Sequence, residues 1–125
     1  VNATTLAKTA YGNPAQATRT PRGIEYELFA RITHRLKQAK ERGKVDFGAL
    51  ARALYENRRL WTTLAVDVAS PDNGLPPQLR ARLFYLNEFT QQHSRKVLSG
   101  EAELDVLIDI NTSIMRGLRQ EGGQA

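Results

Sequence analysis

An all-α fold is predicted, a small bundle of three long helices plus a short C-terminal helix, preceded by an N-terminal arm. Three observations carry this. Apolar residues recur at helical spacing through most of the chain, no alternating strand pattern exceeds four residues, and the clearest proline and glycine signals fall between the periodic segments. The 125 residues suffice for one domain with one core, and no internal repeat divides them.

The central segment shows the pattern most fully. Phe47, Leu50, Leu54, Asn57, Trp61, Leu64 and Val68 are separated by 3, 4, 3, 4, 3 and 4 residues, one stripe of an α-helix. Asp46 is the expected N-cap, with Val45 and Leu50 as a hydrophobic staple. The helix should run to about Ala69, roughly 36 Å at the α-helical rise, and stop because Pro71 disfavours the α conformation in Ser70. Asn57 interrupts the stripe. A buried amide there needs partners and can fix how helices register. Asp72-Asn73-Gly74 then supplies a turn, Gly74 being free to take positive φ.

The other elements follow in order. Residues 1–19 are small and polar and form the arm, mobile or docked through Leu6 and Tyr11, with a short helix around Ala3 to Tyr11. The helical body spans 20–118. Thr20 and Pro21 open the first long helix, which carries Ile24, Leu28, Ile32, Leu36 and Ala39, flanked by Tyr26 and Phe29, and ends at Gly43. The third helix runs from about Pro76 to Leu98 on Leu79, Leu83, Leu86, Thr90, His93 and Val97. Phe84, Tyr85 and Phe89 widen its apolar face, and Ser99-Gly100 caps it. Asp105 caps a last helix, Val106 to about Leu118, apolar on nearly all sides. Residues 119–125 are the expected disordered tail.

Composition narrows the function classes. A 41% apolar, 25% charged chain is ordinary for a soluble globular protein, and no apolar run approaches a membrane span. The first residues lack the charged and apolar regions of a secretory signal, and the absence of cysteine fits a reducing compartment. Net charge of +5 raises the prospect of an acidic partner such as RNA.

Catalytic motifs are wanting. His34 and His93 stand on different helices, and neither a metal-binding His pair, a nucleophile elbow nor a phosphate-binding loop occurs, so a non-enzyme with no cofactor and no metal is expected. His93 reads as a satisfied core or rim histidine. Asp105 and Asp109 share a helix face, but capping and solvation explain them better than a cation does. Trp61 reads first as a core anchor, although an indole also serves as a binding hot spot. Arg58 and Arg59 either pair with Glu56 or Asp67 or are solvated. The run Arg31 to Lys44 holds six Lys/Arg against one Glu, but no aromatic residue to stack on bases. It reads as a solvated face, then as a contact for acidic protein, then for RNA.

Two blocks resemble a known family. Arg59-Leu60-Trp61, then Asp67-Val68-Ala69-Ser70-Pro71-Asp72-Asn73-Gly74-Leu75-Pro76, continue into Leu79-Arg80-Ala81 and Leu83. The second block is Leu104-Asp105-x-Leu107-Ile108-Asp109-Ile110-Asn111, with Ile114-Met115 and Gly117-Leu118, and Thr20-x-Arg22-x-x-Glu25-Tyr26 matches the N-terminal part. In these residues the chain resembles FlaF, the flagellar biosynthesis regulators of α-proteobacteria, over about residues 20–118. The resemblance implies a cytoplasmic factor for flagellin production or export, working beside FlbT, which restrains flagellin mRNA translation. An export chaperone holding flagellin's terminal amphipathic helices is the first expectation, and a translation regulator acting with FlbT on flagellin mRNA is the alternative. An inert scaffold subunit would instead form a dimer through Phe84, Tyr85 and Phe89. Candidates for the partner surface are Tyr26, Arg58, Trp61, Asn73, Phe84 and Tyr85.

Overall fold

Four helices follow one another in the computed structural model, which describes residues 26–124. They are α1 (Tyr26–Arg42), α2 (Phe47–Ala69), α3 (Pro77–Leu98) and α4 (Asp105–Gln124), with a single 3₁₀ turn, Gly43–Val45, between α1 and α2. The arm, its expected helix around Ala3 to Tyr11 and the Thr20-Pro21 start lie outside the described residues. No strand occurs among the described residues.

Cross-helix contacts fix the topology. Phe29 meets Trp61 and Arg35 bonds Glu56, so α1 and α2 run antiparallel. Arg58 bonds Gln91, and Arg80 reaches the Ser70 carbonyl, so α3 runs back along α2. Lys40 pairs with Asp105 at 3.0 Å and Arg119 bonds the Tyr26 hydroxyl, which lays α4 antiparallel on α1.

The stripes anticipated from spacing form the core with small rotations. On α1 the buried residues are Phe29, Ile32, Thr33, Leu36 and Ala39, so Phe29 replaces Leu28 on the inner line. On α2, Leu54, Asn57, Trp61, Leu64 and Val68 are buried as spaced. The interior falls into two apolar clusters. Phe29, Trp61, Leu64, Val68, Leu75, Leu83 and Leu118 fill the end near the α2–α3 corner. Leu36, Leu54, Val97, Leu104, Leu107 and Ile108 fill the other.

Helix ends show both agreement and correction. Asp46 caps α2, its Oδ1 accepting from the Ala49 N–H at 2.9 Å. That bond, followed by the Arg42 guanidinium, holds the Asp46 carboxyl below the ordinary aspartate range. The hydrophobic staple does not form. Val45 is 94% exposed and Phe47 is exposed too, because the 3₁₀ turn lifts the entry to α2 off the core. Gly43 and Gly100 take positive φ, of 61° and 82°. At the end of α3, Gly100 N–H bonds the Val97 carbonyl and Glu101 N–H the Lys96 carbonyl, a Schellman closure. Asp105 is the first residue of α4 rather than its cap: the Leu104 carbonyl accepts from Leu107 and Ile108, and the Asp105 carboxylate faces Lys40. The helical backbone of α4 continues past Leu118, through Gly122 and Gly123, to Gln124, where the sequence predicts a disordered tail over 119–125.

The corner between α2 and α3 is tied by a side chain. Asn73 donates from Nδ2 to the Asp67 carbonyl at 3.2 Å, and its Oδ1 accepts from Leu75 N–H at 2.9 Å. Leu75 is thereby turned into the core. Gly74 does not take the positive φ expected of it, because the asparagine side chain supplies the turn that a left-handed glycine would have supplied. A Cβ at Gly74 would meet nothing within 4 Å. Gly74→Ala should therefore raise stability by about 0.4–1 kcal/mol through the unfolded chain, read from urea denaturation midpoints. A clear loss would show that the corner needs glycine after all.

Candidate functional site

The centre of the bundle is polar. Between the two apolar clusters, Thr33 of α1, Asn57 of α2, Thr90 and Ser94 of α3 and Asn111 of α4 are all buried. Asn111 organises the layer. Its Oδ1 accepts from Trp61 Nε1 at 2.9 Å, and its Nδ2 donates to Asn57 Oδ1 at 2.8 Å and to Thr33 Oγ1 at 3.1 Å. Ser94 Oγ donates back to the Thr90 carbonyl. Asn57 Nδ2 and Thr90 Oγ1 find no protein partner. Asn57, which interrupts the α2 stripe, is thus a buried amide bonded across the bundle, and Asn111 is the partner the sequence reading missed. The signal was an amide at helical spacing with Leu104, Leu107 and Leu118, on a face that is otherwise apolar.

A second buried group sits at the corner. Asp67 is 6% exposed, with Asn73 Nδ2 3.5 Å from its Oδ2. Burial pushes its carboxyl above the ordinary aspartate range. The folded state therefore holds this proton more tightly than the unfolded chain does. The resulting stabilisation is complete below the unfolded pKa and is lost as pH rises through the folded one. Asp67→Asn should make the protein more stable at pH 7, and the advantage should shrink as the pH falls through the raised folded pKa and be gone below about 4. Denaturation at both pH values checks this; an advantage unchanged at low pH would show that ionisation is not the cause.

The outer surface is where a partner can reach. Tyr55, Val66, Phe84 and Tyr85 are between 44% and 66% exposed. Tyr55, Arg59, Thr62 and Val66 recur at spacings of 4, 3 and 4 and form an exposed line on α2, opposite its core stripe. On α3, Gln91 bonds Thr62 Oγ1 and the Arg58 carbonyl, which seats this side of α3 against α2. Phe84 lies one helical repeat before Gln91, at the level of Val66.

The six sequence candidates are not brought into one patch. Trp61 is fully buried, packed edge-on against Phe29 with ring centroids 5.8 Å apart, and reaches no surface. Its core reading holds and its hot-spot reading does not, because the indole fills the gap between α1, α2 and α4. Asn73 ties the corner. Tyr26 is half-buried against the core at the α1–α4 seam, beneath the Arg119 guanidinium, away from α3. Arg58 and Phe84 lie along the α2–α3 side, while Tyr85, next to Phe84 in sequence, is turned about 100° further out on α3. Arg58 pairs with neither Glu56 nor Asp67; its Nε donates to Gln91 Oε1 at 3.0 Å, and Arg59 lies over the Tyr55 ring. Val66, Tyr55 and Arg59 belong to this surface and were missed, although their spacing was visible. His93 is a rim histidine, its Nε2 donating to the Glu103 carbonyl at 2.8 Å and its ring stacked on Phe89.

Comparison with protein families gives a match to the flagellar protein FlaF model over residues 7–118. The chain belongs to the FlaF family. Neither a curated protein nor a solved structure matches it. Many residues that carry the FlaF resemblance are interior here: Leu60, Trp61, Val68, Leu75, Leu83, Leu104, Leu107, Ile108, Asn111 and Leu118 are buried. The FlaF signature therefore describes largely how this bundle is built and closed. No helix among the described residues is long and apolar enough to cross a membrane.

Proposed function

We propose that this FlaF protein binds flagellin in the cytoplasm as a secretion chaperone, holding a terminal amphipathic helix until export. Family membership supports the flagellar setting, and the exposed Val66 and Phe84 on the α2–α3 flank, with Tyr85 exposed beside Phe84, support the binding mode. An unpolymerised amphipathic helix needs its apolar stripe covered, and a seam between two helices offers a groove for it. Phe84→Ala and Tyr85→Ala should each weaken flagellin binding by about 1–2 kcal/mol, roughly five- to thirtyfold, with little change in thermal stability. Calorimetry and thermal melts on the same variants check both halves. A large stability loss would make these core residues and remove the site. With the unaltered chain, binding should persist at high salt and carry a negative heat-capacity change.

A second reading, a regulator of flagellin synthesis acting with FlbT on flagellin mRNA, is favoured by one observation. Arg35, Arg42 and Arg52 line a groove between α1 and α2 with Tyr55, the aromatic group that the basic stretch of α1 lacks. Two of these arginines already have partners, Arg35 with Glu56 and Arg42 with Asp46, which weakens the case. RNA binding would fall steeply with salt, with a log–log slope of about −0.7 per phosphate contacted.

A further inference from the structure

The α2–α3 flank changes chemistry along its length. Near the corner it is apolar, with Val66 on α2 and Phe84 on α3. Seven to eight residues back along α2, roughly 11 Å, it becomes cationic. There Tyr55, Arg58, Arg59, Thr62, Thr63 and Gln91 line a cleft of about 380 Å³. Arg52 continues the exposed face beyond Tyr55. These cations are all arginines, and two are already ordered: Gln91 fixes the Arg58 Nε, and the Arg59 guanidinium lies 5.9 Å from the Tyr55 ring centroid. Glu56, the acid nearest in sequence, faces α1 and is bound to Arg35. By helical periodicity α3 adds one acid, Glu88, and two further cations, Arg95 at this end and Arg80 at the corner, where its guanidinium donates to the Ser70 carbonyl.

We infer that this flank accepts an amphipathic helix in one orientation, apolar side chains over Val66 and Phe84, and a C-terminal, acidic end against Arg58 and Arg59. The inference rests on the chaperone reading and adds polarity to it. A helix C-terminus carries about half a negative charge on its unpaired carbonyls. Acidic side chains in its last turn, or a free chain-terminal carboxylate, add acceptors that match the guanidinium fork. The opposite orientation would bring the positive helix N-terminus onto the arginines and leave the acidic turn over apolar side chains. A helix of three to four turns is long enough to cover both ends of the flank.

The test uses two labelled 18-residue peptides with the same apolar stripe, added to the full chain and followed by fluorescence anisotropy. One carries its glutamates in the last turn with a free carboxylate. The other carries them in the first turn and is amidated. The first should bind about tenfold tighter at low salt, the gap should close at high salt while binding itself persists, and Arg59→Glu, at an exposed position, should abolish the preference. Equal affinities, or a preference that survives Arg59→Glu, overturns the orientation and leaves the apolar site standing. Failure of both peptides to bind while flagellin binds overturns the inference too; failure of flagellin and both peptides removes the chaperone reading itself. A short oligouridylate that displaces the first peptide, with steep salt dependence, would assign the arginines to phosphate and also overturn the inference.

Discussion

Trp61→Ala is expected to lower the unfolding free energy by about 3–5 kcal/mol, the range for truncating a large buried aromatic group. The indole is fully buried, so its removal opens a cavity that Phe29, Leu64 and their neighbours cannot close without moving three helices. It also leaves Asn111 Oδ1 without its donor in the interior. A second substitution separates the two contributions. Trp61→Phe keeps most of the apolar volume and loses the N–H, so it should cost about 1–3 kcal/mol less than the alanine variant. Urea denaturation of the three proteins measures the difference. Trp61→Ala costing under about 1 kcal/mol would mean that the indole is not a core group in solution.

Asn111→Ala should be comparably damaging, about 3–5 kcal/mol, for a different reason. Little apolar area is lost, but Trp61 Nε1, Asn57 Oδ1 and Thr33 Oγ1 each lose their partner at once. The coupling should show in a double-mutant cycle: once Asn111 is gone, Asn57→Ala removes a group already unpaired, so the two costs should add to well under their sum. Full additivity would show that the two amides do not interact. An apolar layer, Thr33→Val with Asn57→Leu and Asn111→Leu, should recover much of the loss. A single amide-rich level disfavours sliding a helix by one turn, since the slide would set Asn57 or Asn111 among leucines.

The sequence carried the elements well, because helix periodicity is a local property. The α2 stripe, the stop at Ser70-Pro71, the Asp46 cap and the Ser99-Gly100 closure were all legible from spacing and backbone chemistry. What spacing could not carry is pairing. Asn57 announced itself by interrupting a stripe, yet Asn111, 54 residues away, could be matched to it only once α4 was laid along α1. The corner shows a related gap. Asp72-Asn73-Gly74 points to its glycine as the turn former, whereas the asparagine side chain makes the turn. The staple at Val45 failed because an apolar pair at the right spacing does not specify that the chain entering the helix lies against it. The surface was the least legible part. Tyr55, Arg59 and Val66 form a regular line, but a line on the outside of a helix looks ordinary until the inner line is known.

The order in which the helices pack bears on how the molecule assembles. Helices α1 with α2, and α2 with α3, are neighbours in sequence joined by short connections, so each pair can close as a hairpin at low entropic cost. The contacts of α4 are of another kind: Thr33 to Asn111 spans 78 residues, and Tyr26 to Arg119 spans 93. Contacts so distant carry the largest loop-closure cost, so α4 is expected to dock last. The last helix to dock thus carries the acceptor for the Trp61 indole. In a growing chain that indole N–H has only water as its acceptor until α4 has been synthesised, and α4 then closes the core over it.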